Sequence, residues 1–188
     1  MMSAVPAFAD TSSNEGGGVM NFEGSVINAP CSIKPESQNI LVKLSDWTTT
    51  KLNKANAHSD PVPVTINLTG CQFEADGAPV NNGEAQKYKF SKVAITFPKA
   101  VGSAQDLQQG KIPNTAPDPA KNVVIQLLKA DGNPVDLSKT PQTGDADNIQ
   151  LNVNSPTNTL QFYAQILATG AAEVGGVGAQ LAYKLNYF

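Results

Sequence analysis

Residues 180–188, the last nine of the chain, have the pattern of a β-strand with one buried face. Large apolar side chains occupy every second position, which is the spacing at which side chains share one face of a strand. The sequence contains no later segment to pair with the second edge of this strand, so we expect that edge to stay open until another molecule covers it. The apolar side chains of the segment are those of Leu181, Tyr183, Leu185 and Tyr187.

A second alternating segment, around Met20 and Phe22, lies near the amino terminus. The residues before it are polar and glycine-rich and carry too little apolar surface to fold alone. Gly16 and Gly18 lie on the same face of the alternation as Met20 and Phe22. We therefore expect an amino-terminal arm that becomes a strand when another molecule receives it. An open strand at one end and a spare strand at the other predict subunits that complete one another.

The composition limits the class of protein. With 188 residues, 40% of them hydrophobic, the chain is long enough for one domain with a substantial core. The net charge is −3, and the thirteen basic residues are all lysine. Nucleic-acid binding needs clustered basic residues and commonly arginine, so we expect no nucleic-acid partner. No apolar run approaches the roughly 20 residues that span a bilayer as a helix.

The first ten residues contain a motif typical of exported proteins. Ala7, Phe8 and Ala9 match the A-x-A cleavage signal, which makes Asp10 the expected first residue of the mature chain. Residues 1–9 lack a basic region and a complete apolar core. We interpret them as the remnant of a secretory signal peptide.

The two cysteines, Cys31 and Cys71, lie in neighbouring predicted strands, where cross-strand geometry could bring them within bridging distance. In a cytosolic protein they would remain reduced, as small buried side chains. Because the cleavage signal indicates export, we expect a disulfide between them. Closing a loop of about 40 residues contributes roughly 3–4 kcal/mol in the chain-entropy model.

Glycine and proline recur about every ten residues, and the segments between them alternate or are rich in β-branched residues. Short strands at this spacing, without sustained helical periodicity, predict an antiparallel β-sandwich. A short helix or 3₁₀ turn could form at residues 47–57, and residues 74–86, 102–120 and 131–148 are predicted loops. The predicted strands cover residues 22–33, 39–44, 62–69, 87–97, 122–128, 149–153, 159–167 and 179–188.

Side chains that could carry catalysis or hold a metal are sparse. His58 is the only histidine and lies in a polar loop. The sequence therefore offers few residues from which a catalytic triad or dyad could be built. Asp145 and Asp147 could offer oxygen ligands to calcium, but they lack the glycine turn and the distant glutamate of an EF-hand. We expect no catalytic residue, no cofactor and no metal. A secreted β-sandwich enzyme and a calcium-binding module are the weaker alternatives.

Three segments together resemble the pilins of the chaperone–usher pathway, and specifically the type 1/P-like major fimbrial subunits. Residues 22–31 have the pattern F-x-G-x-V-x-x-A-P-C, and residues 61–71 resemble the segment that carries the second cysteine of the family. Residues 160–168, Gly175 and Gly176, and the terminal strand with the penultimate Tyr187 resemble the carboxy-terminal pattern. The last residue, Phe188, departs from the commoner polar one.

The resemblance implies an all-β fold, an incomplete immunoglobulin-like β-sandwich completed by a donor strand from a neighbouring subunit. Residues 1–9 would be the signal remnant, 10–24 the donor-strand extension and 25–188 the pilin domain. The donor face would carry Gly16, Gly18, Met20 and Phe22. The acceptor groove and chaperone-binding strand would carry Leu181, Tyr183, Leu185 and Tyr187.

The resemblance also implies partners and a location. The subunits would form a helical homopolymer, a surface fibre used in adhesion by a Gram-negative cell, after secretion through the periplasm. A periplasmic chaperone and an outer-membrane usher would be partners, and minor tip or adaptor pilins could join them. A tip adhesin is the alternative from the binding class, but it would carry a receptor domain before the pilin domain and no donor arm.

Overall fold

The computed structural model describes residues 18–78 and 84–188, which form two antiparallel β-sheets packed face to face. Alternation of apolar and polar residues gives each sheet an apolar inner face. In chain order, the described elements are β1 (Ser32–Ile33), α1 (Pro35–Gln38), β2 (Val62–Thr69), β3 (Lys92–Thr96), α2 (Ala104–Gln108), β4 (Lys111–Pro113), β5 (Val123–Lys129), β6 (Ile149–Gln150), β7 (Thr157–Ala168) and β8 (Lys184–Tyr187).

The larger sheet has five strands in the order β1-β2-β7-β5-β4, and the smaller has three in the order β6-β3-β8. The twelve-residue β7 is the centre of the larger sheet. Leu160 of β7 lies opposite Ile66 of β2, and Ile166 lies opposite Ile125 of β5. The smaller sheet pairs β3 with β8 through Ile95 and Leu185.

The core lies between the sheets and consists of the inward residues of both. Leu68, Val93 and Leu160 are its most completely buried large side chains. Residues Leu181, Tyr183, Leu185 and Tyr187 are half-buried and pack against this core. The alternation predicted for the terminal segment is therefore present, with its apolar members facing inward.

Cys31 and Cys71 are joined by a disulfide, as predicted. Cys31 immediately precedes β1, and Cys71 is the second residue after β2. The disulfide therefore links the ends of two paired strands. Both cysteines are buried in the core. No helix in residues 18–78 or 84–188 is long and apolar enough to cross a membrane.

The all-β prediction is confirmed, and β2 has the predicted bounds, but several elements differ. Only two residues of the predicted strand 22–33 are in a strand, and residues 39–44 form none. In the described chain these stretches have no neighbouring strand to pair with, so their strand propensity alone does not make them strands. Residues 47–57 form turns rather than a helix. β4 and α2 lie in a predicted loop. β4 pairs with β5 and α2 lies beside β4, and Leu107 of α2 and Ile112 of β4 pack against the core.

Candidate functional site

A long open groove of about 1610 Å³ lies between the two sheets. Residues 38–49 form one wall, and residues 172–183, which precede β8, form the other. The floor is mainly the apolar inner face of the larger sheet, with β3 contributing from the other side. The floor residues include Val64, Ile66, Ile95, Leu127, Phe162, Ala164 and Ile166.

The two walls lie outside the strands of the described residues, and the one β-bridge found in them joins Gly176 to Pro119. Residues 39–48 and 177–183 belong to no strand, and β8 is bonded on one side only, to β3. Among the described residues, the backbone of residues 40–43 and 179–182 makes no hydrogen bond, and unpaired backbone beside an apolar floor is the usual template for strand addition. The groove thus has both features that an added strand would satisfy.

The wall near residues 175–178 is held by backbone hydrogen bonds to residues 115–120 and by the side chain of Asn114. The Asn114 amide nitrogen donates to the Gly176 oxygen at 2.8 Å, and its amide oxygen accepts from the Gly178 nitrogen at 3.0 Å. A Cβ atom at Gly175 would collide with the backbone of Ala120, so only glycine allows this close approach. Asn114 was not among the residues singled out from the sequence, because nothing local to it indicates its distant partners.

The four residues predicted for the acceptor groove divide into two pairs. Leu181 and Tyr183 line the groove. Leu185 and Tyr187 lie further along, in β8, and do not belong to the groove lining. Burial raises the pKa of the Tyr183 hydroxyl. Burial, together with nearby Tyr183, raises the pKa of Tyr187 to about 12, so both side chains are neutral phenols at physiological pH.

Of the residues predicted for the donor face, Gly18, Met20 and Phe22 do not belong to the groove lining of their own subunit. Met20 is 81% exposed and Phe22 is 87% exposed, and neither belongs to a strand in the described chain. Gly18 has open space around it. Gly16 lies outside the described residues. Large exposed apolar side chains in one short segment are typical of a surface that another molecule covers.

The carboxylates considered for calcium are engaged by lysines. Asp145 and Asp147 bind the Lys139 ammonium at 2.8 and 2.6 Å, and Asp147 also binds Lys129 at 2.9 Å. The pKa of each carboxyl is lowered, chiefly by the hydrogen bond from Lys139. These ion pairs stabilise the loop before β6, and in them both carboxylates are paired with lysine side chains of the same chain.

The fold defines the class: an incomplete immunoglobulin-like β-sandwich with an open groove between its sheets. The chain belongs to the fimbrial protein family, whose model matches residues 20–187. It is 33% identical to the F17 fimbrial protein of Escherichia coli over 90% of this chain and 87% of that protein. It is 30% identical to the type-1 fimbrial protein, A chain, of Escherichia coli over 99% of this chain and 91% of that protein.

Solved pilus structures have the same fold. The subunit in a structure of a chaperone–usher pilus is similar with a TM-score of 0.60 and 20% identity, over 92% of this chain and 96% of that one. The P pilus rod subunit PapA is similar with a TM-score of 0.55 and 18% identity, over 85% of this chain and all of that one. The resemblance to chaperone–usher pilins is confirmed. The protein is a structural subunit of an adhesive fimbria, an extracellular fibre of Gram-negative bacteria, and not an enzyme.

Proposed function

We propose that the subunits polymerise by donor-strand exchange, in which the arm of one subunit fills the groove of the next. Residues 10–24 are the donor, and residues 25–188 form the receiving domain. Met20 and Phe22 face the groove floor, with Gly16 and Gly18 earlier on the same face. The observation that carries the proposal is the coexistence of a long apolar groove with an apolar segment exposed on the same molecule.

The energetics support an added strand. Burial of the Met20 and Phe22 side chains contributes on the order of 3–6 kcal/mol. The donor backbone also supplies hydrogen-bond partners to the unpaired walls, which is the general basis of strand addition. Glu23, on the opposite face of the donor, remains in solvent. The donor strand therefore places apolar side chains on the groove floor and a charged side chain on the outer surface.

An isolated subunit with an unfilled groove is prone to aggregate, because the free strand edge and the apolar floor are open to other chains. We propose that a periplasmic chaperone covers this edge first, along residues 179–188, with Leu181, Tyr183, Leu185 and Tyr187 as its apolar contacts. An outer-membrane usher then mediates the exchange for the arm of the next subunit. The product is a helical homopolymer on the cell surface, to which minor tip or adaptor pilins are the remaining possible partners.

Deletion of residues 10–22 tests the proposal. The shortened subunit keeps its domain and its groove, so we expect it to be recovered folded from the periplasm but to form no fibres by negative-stain microscopy. Deletion of residues 10–15 alone is the matched control, since it keeps the four donor-face residues, and we expect fibres from it. Fibres of normal length from the larger deletion would contradict donation through this segment.

A further inference from the structure

Tyr183, the last residue of one groove wall, is hydrogen-bonded to Ser37, the residue that immediately precedes the other wall. Its hydroxyl donates a hydrogen bond to the carbonyl oxygen of Ser37 at 2.6 Å. Tyr183 lies just before β8 in the smaller sheet, whereas Ser37 lies in α1, which is attached to the larger sheet. The bond therefore crosses from one sheet to the other. It lies at one end of the groove lining, because the lining residues of the two walls begin at Gln38 and stop at Tyr183.

Ser37 is a fixed anchor for this bond. Its side chain is 1% exposed, and its hydroxyl oxygen accepts a hydrogen bond from the backbone nitrogen of Asn67 at 2.9 Å. The backbone nitrogen of Lys34 donates to the Asn67 oxygen, also at 2.9 Å. Two hydrogen bonds thus hold α1 against β2. The hydroxyl of Tyr183 is therefore bonded to a segment that is fixed to the larger sheet.

The opposite end of the groove is also closed. There the backbone nitrogen of Ala172 donates to the Leu52 oxygen at 2.9 Å. The open wall between the two connections runs from residue 173 to residue 182. Fully extended, ten residues span at most about 33–36 Å, so the groove accepts a strand of limited length.

The alternating pattern of the donor does not by itself fix the position of the strand. A slip of one residue turns the apolar face outward, but a slip of two residues restores it. Positions 16, 18, 20, 22 and 24 all share one face, and three of them are glycine. A slip of two residues would therefore place a glycine at the position of Met20 or Phe22. The alternating pattern disfavours this slip only because one large apolar side chain would lose its contact with the groove floor.

We infer that Tyr183 is a positioning residue whose hydrogen bond to Ser37 forms the end stop of the groove and sets the register of the donor strand. The inference rests on the proposed donor-strand exchange. The donor is stopped at the Tyr183 end, so Met20 and Phe22 come to rest at fixed positions on the floor. Without the hydroxyl, the aromatic ring still packs but the end of the groove is free to open.

Cross-linking in assembled fibres measures the register directly. One cysteine replaces Ala179, a half-buried residue of the groove wall, and a second cysteine replaces residue 18, 20 or 22 in a separate subunit. In the parent background we expect one donor position to predominate. With Tyr183→Phe we expect the position two residues away to gain about fivefold relative to the first, the factor that corresponds to one lost hydrogen bond.

Tyr187→Phe is the matched control, because it removes a hydroxyl from the same terminal segment. The Tyr187 hydroxyl is buried and has no hydrogen-bond partner among the described residues, so its removal should leave the cross-linking pattern of the parent. Ser37→Ala offers a second route, since it loosens the anchor without touching Tyr183, and we expect the same second cross-link.

The outcomes separate the inference from the proposal beneath it. A single cross-link position that is the same in the parent, in Tyr183→Phe and in Ser37→Ala would overturn the end stop and leave donor-strand exchange intact. An equal shift with Tyr187→Phe would also overturn it. Fibres that form in the parent background without a cross-link from any donor position would overturn the inference together with the donor assignment.

Discussion

The strands β7 and β8 have similar sequence patterns and very different surroundings. Both alternate large apolar residues with smaller or polar ones, but β7 is twelve residues long and is bonded along both edges, to β2 and β5. β8 is four residues long and is bonded along one edge, to β3. Leu160 in β7 is 1% exposed, whereas every residue of β8 retains some exposure.

This difference shows that a local pattern predicts which face of a strand is buried but not how many partners the strand has. The second edge of β7 is filled from within the chain, by segments far away in sequence. The wall that leads into β8 lies beside an open groove instead. A subunit with an open groove beside a well-formed core can gain further stability when a neighbouring subunit binds in that groove.

The largest contrast is expected between leucines of the two regions. Leu160→Ala removes a fully buried side chain from β7 and should lower the free energy of unfolding of the subunit by about 2–5 kcal/mol. Leu181→Ala lies in the groove wall and should cost the isolated subunit about 1 kcal/mol, while its fibres dissociate at a lower temperature. Urea unfolding of the subunit and heating of the fibres measure the two effects. Equal losses in the isolated subunit would contradict the distinction.

A smaller effect is expected where the open wall is attached to the domain. Asn114→Ala removes the side-chain hydrogen bonds to Gly176 and Gly178. The Gly178 nitrogen then lacks this partner, whereas the Gly176 oxygen keeps its bond from the Ala120 nitrogen, and the change should cost about 1–3 kcal/mol of unfolding free energy. Asn114→Asp keeps the acceptor for the Gly178 nitrogen but turns a carboxylate oxygen towards the carbonyl oxygens of Gly176 and Ala120, so it should lose at least as much stability as Asn114→Ala. An unfolding curve for Asn114→Ala that overlays the parent would mean that the wall is held in another way.

The smallest effect concerns the exposed ion pairs of the loop before β6 and should appear as a pH dependence. Asp145 and Asp147 have pKa values below the ordinary 3.8, so their stabilisation is present above pH 3.8 and is lost as the pH falls through the lowered values. The raised pKa of Lys139 gives stabilisation that is lost above pH 10.5. In Lys139→Met the acid slope of the urea midpoint should be shallower. An unchanged slope would contradict this attribution.

The sequence predicted the parts of the fold that depend on local pattern. The bounds of β2, the inward face of Leu181 and Tyr183 and the disulfide could be read from alternation and from the single cysteine pair. The absence of a strand at residues 39–44 could not, because strand propensity does not reveal whether a partner exists. The bonds of Asn114 and of Tyr183 join residues about 60 and 146 positions apart, and no local signal identifies such pairs.

The central claim, that Met20 and Phe22 enter the groove of a neighbour, is tested most directly by a pair of donor variants. Phe22→Asp would bury an unpaired charge against the apolar floor, at a cost of several kcal/mol. Glu23→Ala changes the opposite face and should cost under about 0.5 kcal/mol. We expect Phe22→Asp to abolish fibres or to yield fibres that fall apart on mild heating, while Glu23→Ala fibres match the parent. Equal behaviour of the two variants would contradict the claim, and the reverse result would place Asn21 and Glu23 in the groove.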